Sequence, residues 1–309
     1  MGAVSRRRPV ALRMPDFIII GAFKSGTTSL LSWLGQHPKV FVPWLQEPNF
    51  FASPNYNPQL DGEKRPQRPA QSIYGRKRTD SLSQYTSLFE GVPEDVVAGE
   101  SSPQYLREPA ACGRIKCMLP DAKLIAILRH PADRAFSDYS MLVRDGLERG
   151  SFVDAIGRPH GTGTFPPYLE TGFYGRQLKP YIEQFPPEQL RVLLFEDLRD
   201  DPRDLIRSLL EWFDVDPNFE PNVADVRNVS GVPRNRAIAG AYRMRRRLQP
   251  YLKPLVPAGL QRVVDARLLR GLDRPEFDPQ IRRQLVELYA EDIQQLAQLI
   301  GRDLADWLR

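Results

Sequence analysis

The sequence predicts an α/β fold of three layers, a central parallel sheet flanked by helices. Two observations carry this expectation. Short apolar runs of strand length recur around 16–21, 39–42, 96–99, 123–129 and 191–195. Helical patterns alternate with them, which is the βαβ rhythm of a parallel sheet covered on both faces. With 309 residues, 41% of them hydrophobic, the chain can build one large α/β core or two smaller ones. No linker divides it, so residues 1–309 are read as a single domain with a tail over 1–14.

The first apolar run, Asp16-Phe17-Ile18-Ile19-Ile20-Gly21, leads into Ala22-Phe23-Lys24-Ser25-Gly26-Thr27-Thr28-Ser29-Leu30-Leu31. A buried strand that ends in a glycine-bounded turn and opens a helix aims several backbone N–H groups at one point. The helix N-terminus adds partial positive charge, so the turn is an anion site, most often for phosphate. Its spacing is not G-x-x-x-x-G-K-[ST], because Lys24 precedes the second glycine. The following helix places Thr27, Leu30, Leu31 and Leu34 on one stripe.

The second strand, Val40-Phe41-Val42, leads to Gln46-Glu47-Pro48-Asn49-Phe50-Phe51, which belongs at the same sheet edge as the lysine turn. After the third strand comes Glu100-Ser101-Ser102-Pro103-Gln104-Tyr105-Leu106. The fourth, Lys123 to Leu128, ends in Arg129, whose planar fork suits bidentate phosphate contacts. Ser137 follows about two helical turns later, so a helix starting near Pro131 returns it to the same side. Residues 176–184 and 203–213 read as helices, the second started by Asp200, Asp201 or Pro202. Over 279–300, apolar residues at 285, 288, 289, 293, 296 and 300 describe an amphipathic helix.

Two regions break the rhythm. Residues 52–95 carry Lys64, Arg65, Arg68, Arg76, Lys77 and Arg78 among prolines and amides, and 222–278 hold two basic clusters. Insertions of this length usually build a cleft or lid, here for acceptor and cofactor. The net charge of +5 suits a polyanionic ligand and falls short of a nucleic-acid-binding signature. The apolar run from Phe17 to Ile20 is too short for a membrane span or a signal-peptide core. Cys112 and Cys117 fit neither C-x-x-C nor a zinc pattern and are read as reduced thiols in a helix. No metal site is expected, and the expected compartment is the cytoplasm.

The order G-x-x-K-S-G-T-T resembles the 5′-phosphosulfate loop of sulfotransferases that use 3′-phosphoadenosine 5′-phosphosulfate (PAPS). The segment from Lys123 to Tyr139 resembles that family's 3′-phosphate element, in which the strand-end arginine and the helix serine hold the phosphate. Gln46 to Phe51 is similar to the Lys-Glu-Pro-His-Phe-Phe segment of heparan-sulfate-type and bacterial members, whose glutamate is the proposed base. Gln46 stands where the lysine is usual and Asn49 where the histidine is. Glu100 to Leu106 resembles Glu-Lys-Ser-Pro-x-Tyr, with Ser101 in place of the lysine. Further likenesses are Thr171-Gly172-Phe173-Tyr174-Gly175-Arg176-Gln177-Leu178, Phe195-Glu196-Asp197-Leu198 with Asp201-Pro202, and more loosely Asn228 to Arg236.

The resemblance implies a P-loop-like fold and sulfuryl transfer from PAPS to an acceptor hydroxyl without a metal. Such transfer needs a base, positive charge at the leaving phosphate, and in-line alignment. On the matching positions, Lys24 and Glu47 are the catalytic candidates. Lys24, Ser25, Gly26, Thr27, Thr28, Arg129, Ser137 and Arg234 are cofactor-binding candidates. Glu100 is either a second carboxylate near the acceptor or a structural ion-pair partner, and Tyr174 lines the acceptor site or packs as an aromatic. The acceptor implied is a carbohydrate or glycosylated metabolite hydroxyl. Two other classes stay open: a P-loop phosphotransferase, which needs magnesium, and a non-catalytic polyanion-binding protein.

Overall fold

A computed structural model describes residues 13–54, 56, 79–158, 168–224, 231–252, 271–273 and 275–309. Five strands, β1 (Phe17–Gly21), β2 (Val40–Phe41), β3 (Val97–Ser101), β4 (Lys123–Leu128) and β5 (Leu190–Leu194), form one sheet. Their order is β2-β3-β1-β4-β5 and every pairing is parallel. These are the five apolar runs of the sequence. A small antiparallel ribbon pairs β6 (Val232–Pro233) with β7 (Leu272–Asp273). The helices described are α1 (Thr27–Leu34), α2 (Leu82–Thr86), α3 (Gln104–Arg107), α4 (Pro109–Met118), α5 (Pro131–Arg144), α6 (Phe152–Ile156), α7 (Tyr174–Gln184), α8 (Phe195–Asp200), α9 (Pro202–Phe213), α10 (Arg236–Leu252) and α11 (Pro279–Ile300).

β1 is central, and Phe17, Ile18, Ile19 and Ile20 are all fully buried. Strand alternation sends Phe17 and Ile19 to one face, where they meet Leu30 and Leu34 of α1, Leu198 of α8 and Leu209, Leu210 and Phe213 of α9. Ile18 and Ile20 turn to the other face, with Leu124, Leu128, Ile115 of α4, Leu178 of α7 and Tyr289 and Leu296 of α11. Two apolar cores separated by one sheet make the predicted three layers. Helix α9 begins where expected: the Asp201 side chain accepts the Asp204 N–H at 3.0 Å and Pro202 fills the first turn.

The two irregular regions depart from expectation where they are described. Residues 79–95 contribute α2 and a 3-10 turn, and Tyr85, Leu88 and Phe89 enter the core. Part of this stretch therefore supports the sheet. Within 222–278 lies α10, hidden in the sequence by Pro250 and a dense run of arginines. The tail over 1–12, the basic cluster between 64 and 78, and residues 225–230 lie outside the described residues. Among the described residues no helix is long and apolar enough to cross a membrane. Cys112 and Cys117 are free thiols on α4.

Helix α11 also completes α7. Asp292 accepts the N–H groups of Gly175 at 2.9 Å and Arg176 at 3.1 Å, capping the α7 N-terminus with a carboxylate. The Tyr289 hydroxyl donates to the Leu169 carbonyl at 2.8 Å just upstream.

Gly99 of β3 pairs in register with Phe17, and a Cβ there would lie 2.1 Å from the Phe17 ring. Gly99→Ala forces the sheet centre apart. It should cost roughly 1–3 kcal/mol, read as a lower denaturation midpoint with an unchanged m-value.

Candidate active site

β1 and β4 are neighbours whose chains lead to opposite flanks, to β2 on one side and β5 on the other. The crevice beyond such a pair of carboxyl ends is where open α/β sheets bind ligands. The lysine turn closes over it from β1. Ala22 N–H donates to the Ile127 carbonyl at 2.8 Å, tying the turn to β4, and Ser25 N–H donates to the Ala22 carbonyl at 3.3 Å. Gly26 has φ +93° at the start of α1, and a Cβ there would lie 2.6 Å from Leu198. Glycine is required at that point on both counts.

Lys24 itself is left-handed at φ 64°. Its side chain runs against α5, with Nζ 3.3 Å from Met141 Sδ. Burial pushes the Lys24 ammonium down to about 8; Arg144 and Arg129 push the same way, while Asp138 and Asp145 oppose them. Ser25 is fully buried, and the Tyr174 hydroxyl faces it. Neither oxygen makes a hydrogen bond of ordinary geometry to the described residues. Thr27 is buried and Thr28 half-buried in the first turn of α1.

Arg129 ends β4 in the same crevice. Its guanidinium lies over the Phe195 ring at 4.9 Å, and one N–H points to the Lys24 carbonyl at 3.4 Å. Burial lowers its pKa, while Asp133, Tyr174 and Glu196 pull it back up. Ser137 is buried on α5 one helical turn before Met141. Residues four apart share a helix face, so Ser137 lies on the face that carries the contact to Lys24. The structure thus brings Lys24, Ser25, Arg129 and the Ser137 face of α5 to one sheet edge.

Glu47 sits half-buried in the turn after β2. Both Glu47 (φ 54°) and Asn49 (φ 53°) are left-handed. Asn49 Nδ2 donates to the Glu47 carbonyl at 2.8 Å, and Asn49 N–H donates to Ser102 Oγ at 3.0 Å. Ser102 in turn donates to Glu100 at 2.7 Å. Glu100 is fully buried and also accepts from Tyr105 at 2.8 Å and Tyr85 at 3.2 Å. Burial pushes its carboxyl up to about 7; the three hydroxyls pull down, and the nearby Glu47 adds to the rise. Both sequence expectations for Glu100 are therefore corrected: among the described residues its partners are hydroxyls and it makes no ion pair, and it is fully buried, with no surface to offer an acceptor. Tyr85 escaped the sequence reading because its segment carried no periodic signal, and Asn49 was named there only as a departure from the usual histidine, with no role.

Of the two readings of Tyr174, the packed aromatic is the one the structure matches. It is 1% exposed, with its ring 6.3 Å from Trp307 and its hydroxyl at Ser25, so it underlies the lysine turn and does not line an open surface. Burial pushes its phenol up to about 12. Arg234 lies exposed on the β6–β7 ribbon, paired with Asp273 at 3.0 Å. His37 bonds the Asp216 carbonyl and accepts the Lys39 N–H, a structural role. His130 is buried 6.0 Å from Trp307, and its pKa is lowered chiefly by burial. Among the described residues no cluster of three or more His, Cys, Asp or Glu could hold a metal ion.

Comparison with known proteins agrees with this geometry. Heparan sulfate glucosamine 3-O-sulfotransferase 3A1 of Mus musculus is 29% identical over 203 residues, covering 65% of this chain and 46% of that protein. The bifunctional heparan sulfate N-deacetylase/N-sulfotransferase 1 of Caenorhabditis briggsae is 29% identical over 223 residues, 67% of this chain and 23% of that protein. This chain thus spans less than half the length of either relative. The crystal structure of a sulfotransferase from Alicyclobacillus acidocaldarius superposes with a TM-score of 0.72 at 28% identity, covering 96% of this chain and all of that one. The profile of the sulfotransferase family matches residues 15–221, from the lysine turn through α9, and the chain belongs to that family.

Proposed function

We propose that this chain transfers the sulfuryl group of PAPS to an acceptor hydroxyl, with Glu47 as the base. One observation carries the reading: two phosphate-type elements, the lysine turn after β1 and Arg129 with α5 after β4, meet at neighbouring strand ends. A donor bearing a 5′-phosphosulfate and a 3′-phosphate presents one anion to each. The buried Ser25 oxygen, without an ordinary hydrogen bond among the described residues, fits a polar ligand atom at the first. Arg234, on the ribbon beside α5, is a further candidate for the second.

In this scheme the loop N–H groups and hydroxyls of residues 25–28 hold the 5′-phosphate. Arg129 and Ser137 hold the 3′-phosphate. Glu47 takes the acceptor proton as the acceptor oxygen bonds to sulfur. The sulfur–oxygen bond to the 5′-phosphate breaks, and Lys24 meets the charge that collects on the departing oxygen. The acceptor proposed is a carbohydrate hydroxyl. Support comes from the two relatives named for heparan sulfate. It comes also from Trp44, 78% exposed and three residues before Glu47, which offers a flat aromatic face to the C–H side of a sugar ring. A mass-spectrometric search for a sulfated product, in cell extract supplied with enzyme and donor, identifies the acceptor.

Adenosine 3′,5′-bisphosphate should bind at least about tenfold more tightly than adenosine 5′-monophosphate, since a charge-assisted contact contributes roughly 1.5–3 kcal/mol. Arg129→Ala or Ser137→Ala should erase most of that preference in calorimetry. Equal affinity for both nucleotides in the unaltered protein would sink the assignment.

Lys24 gives a pH signature. Its pKa near 8 leaves it mostly neutral at about pH 8.5, and a bound phosphate anion favours the charged form. Bisphosphate binding should therefore take up about three-quarters of a proton more at that pH than in Lys24→Ala, and at about pH 6.5 the two proteins should hardly differ. Calorimetry in buffers of different ionisation enthalpy measures the uptake in both proteins.

Glu47→Gln keeps the side-chain shape and removes the proton acceptor. Turnover with the identified acceptor should fall roughly 10²–10⁴-fold while donor affinity stays within about twofold. Near-normal turnover in this variant would exclude Glu47 as the base.

A further inference from the structure

We propose that Glu100 is a positioning residue, which acts through the Ser102 hydroxyl to hold the turn that carries Glu47. The catalytic consequence rests on Glu47 being the base; the positioning itself does not.

The turn needs an anchor. Glu47 and Asn49, on either side of Pro48, both have backbone angles that L side chains rarely adopt. Thr79 fixes the Pro48 carbonyl from one side, with its N–H at 3.0 Å and its hydroxyl at 3.2 Å. The opposite anchor is the bond from the Asn49 N–H to Ser102 Oγ, made between two buried groups. Ser102 can accept there only if its own hydrogen points elsewhere. Glu100 Oε2, 2.7 Å away, takes that hydrogen.

An ionised carboxylate only accepts, so it makes Tyr85, Tyr105 and Ser102 all donate inward. That leaves a Ser102 lone pair for the Asn49 N–H. A protonated Glu100 with its hydrogen on Oε2 would donate to Ser102, so the Ser102 hydrogen would lose Glu100 as its acceptor and be released to turn toward the Asn49 N–H. The titratable groups facing Glu100 are the Tyr85 phenol from α2, the Tyr105 phenol from α3 and the Glu47 carboxyl from the turn. Its carboxyl, pushed up to about 7 chiefly by burial, changes charge within the ordinary working range of pH. The buried network therefore links protonation at the end of β3 to the order of the turn after β2.

Hydrogen–deuterium exchange on the full chain tests this, read by mass spectrometry at Asn49 and, for reference, at the amides of β1 and β4. Ser102→Ala and Glu100→Gln should each speed Asn49 exchange at least about tenfold and leave β1 and β4 as protected as in the unaltered protein. In the unaltered protein, Asn49 protection corrected for intrinsic rates should weaken below about pH 7. That step should be missing in Glu100→Gln. Asn49 exchange within about twofold of normal in Ser102→Ala, equal loosening of β1 and β4, or a pH step that persists in Glu100→Gln would each overturn the proposal. If Glu100→Gln does not fold, Ser102→Ala carries the test alone, because it removes only one buried oxygen. No donor or acceptor enters the measurement, so its failure is distinct from failure of the sulfotransferase reading, which is decided by nucleotide preference.

Discussion

The register of β1 between β3 and β4 is the constraint on which the rest depends. Because β1 is buried on both faces, its side chains are locked to two different cores, and a slip of one residue would exchange Phe17 and Ile19 with Ile18 and Ile20. That fixed register sets where Gly21 ends the strand. It also brings Ala22 N–H onto the Ile127 carbonyl and so decides where Lys24 stands relative to Arg129. On the other side, the pairing of Ile18 with Glu100 and Ile19 with Ser101 sets the depth at which Ser102 meets the Glu47 turn. Both halves of the site are thus consequences of one strand's packing.

Electrostatically the two halves are opposites. At the β1–β4 edge, burial lowers the pKa of both Lys24 and Arg129, and for Lys24 the nearby Arg144 and Arg129 add repulsion. An anion placed there relieves repulsion already present in the fold. At the β2–β3 edge two carboxyl groups face each other, one half-buried and one sealed among hydroxyls. Desolvation, with a smaller contribution from Glu47, raises the pKa of the sealed Glu100.

Much of this was legible in the sequence, for physical reasons. Strand β1, and β4 after Lys123, are buried on both faces and so read as unbroken apolar runs. The α9 cap was visible as Asp201-Pro202, because capping chemistry is local. The lysine turn showed in its glycine spacing, and the α5 face showed in the interval from Arg129 to Ser137. What escaped depends on contacts distant in sequence. Tyr85 supports Glu100 from a segment with no periodicity of its own, and the pairing of Asp292 with Gly175 joins residues that no local pattern connects. Tyr174 shows why two readings stayed open: its motif was plain, but whether an aromatic faces a cleft or the floor beneath it is decided by Trp307 and the packing of α11.

That packing has a bearing on how the protein matures. The strand ends that carry Lys24 and Arg129 are synthesised before α11, yet Tyr174, which lies beneath the lysine turn, begins a helix whose first turn is capped by Asp292 of α11. Until α11 emerges, α7 has an uncapped end and the floor of the crevice lacks its backing. The support under Lys24 is thus completed by a helix that follows every strand of the sheet in the chain.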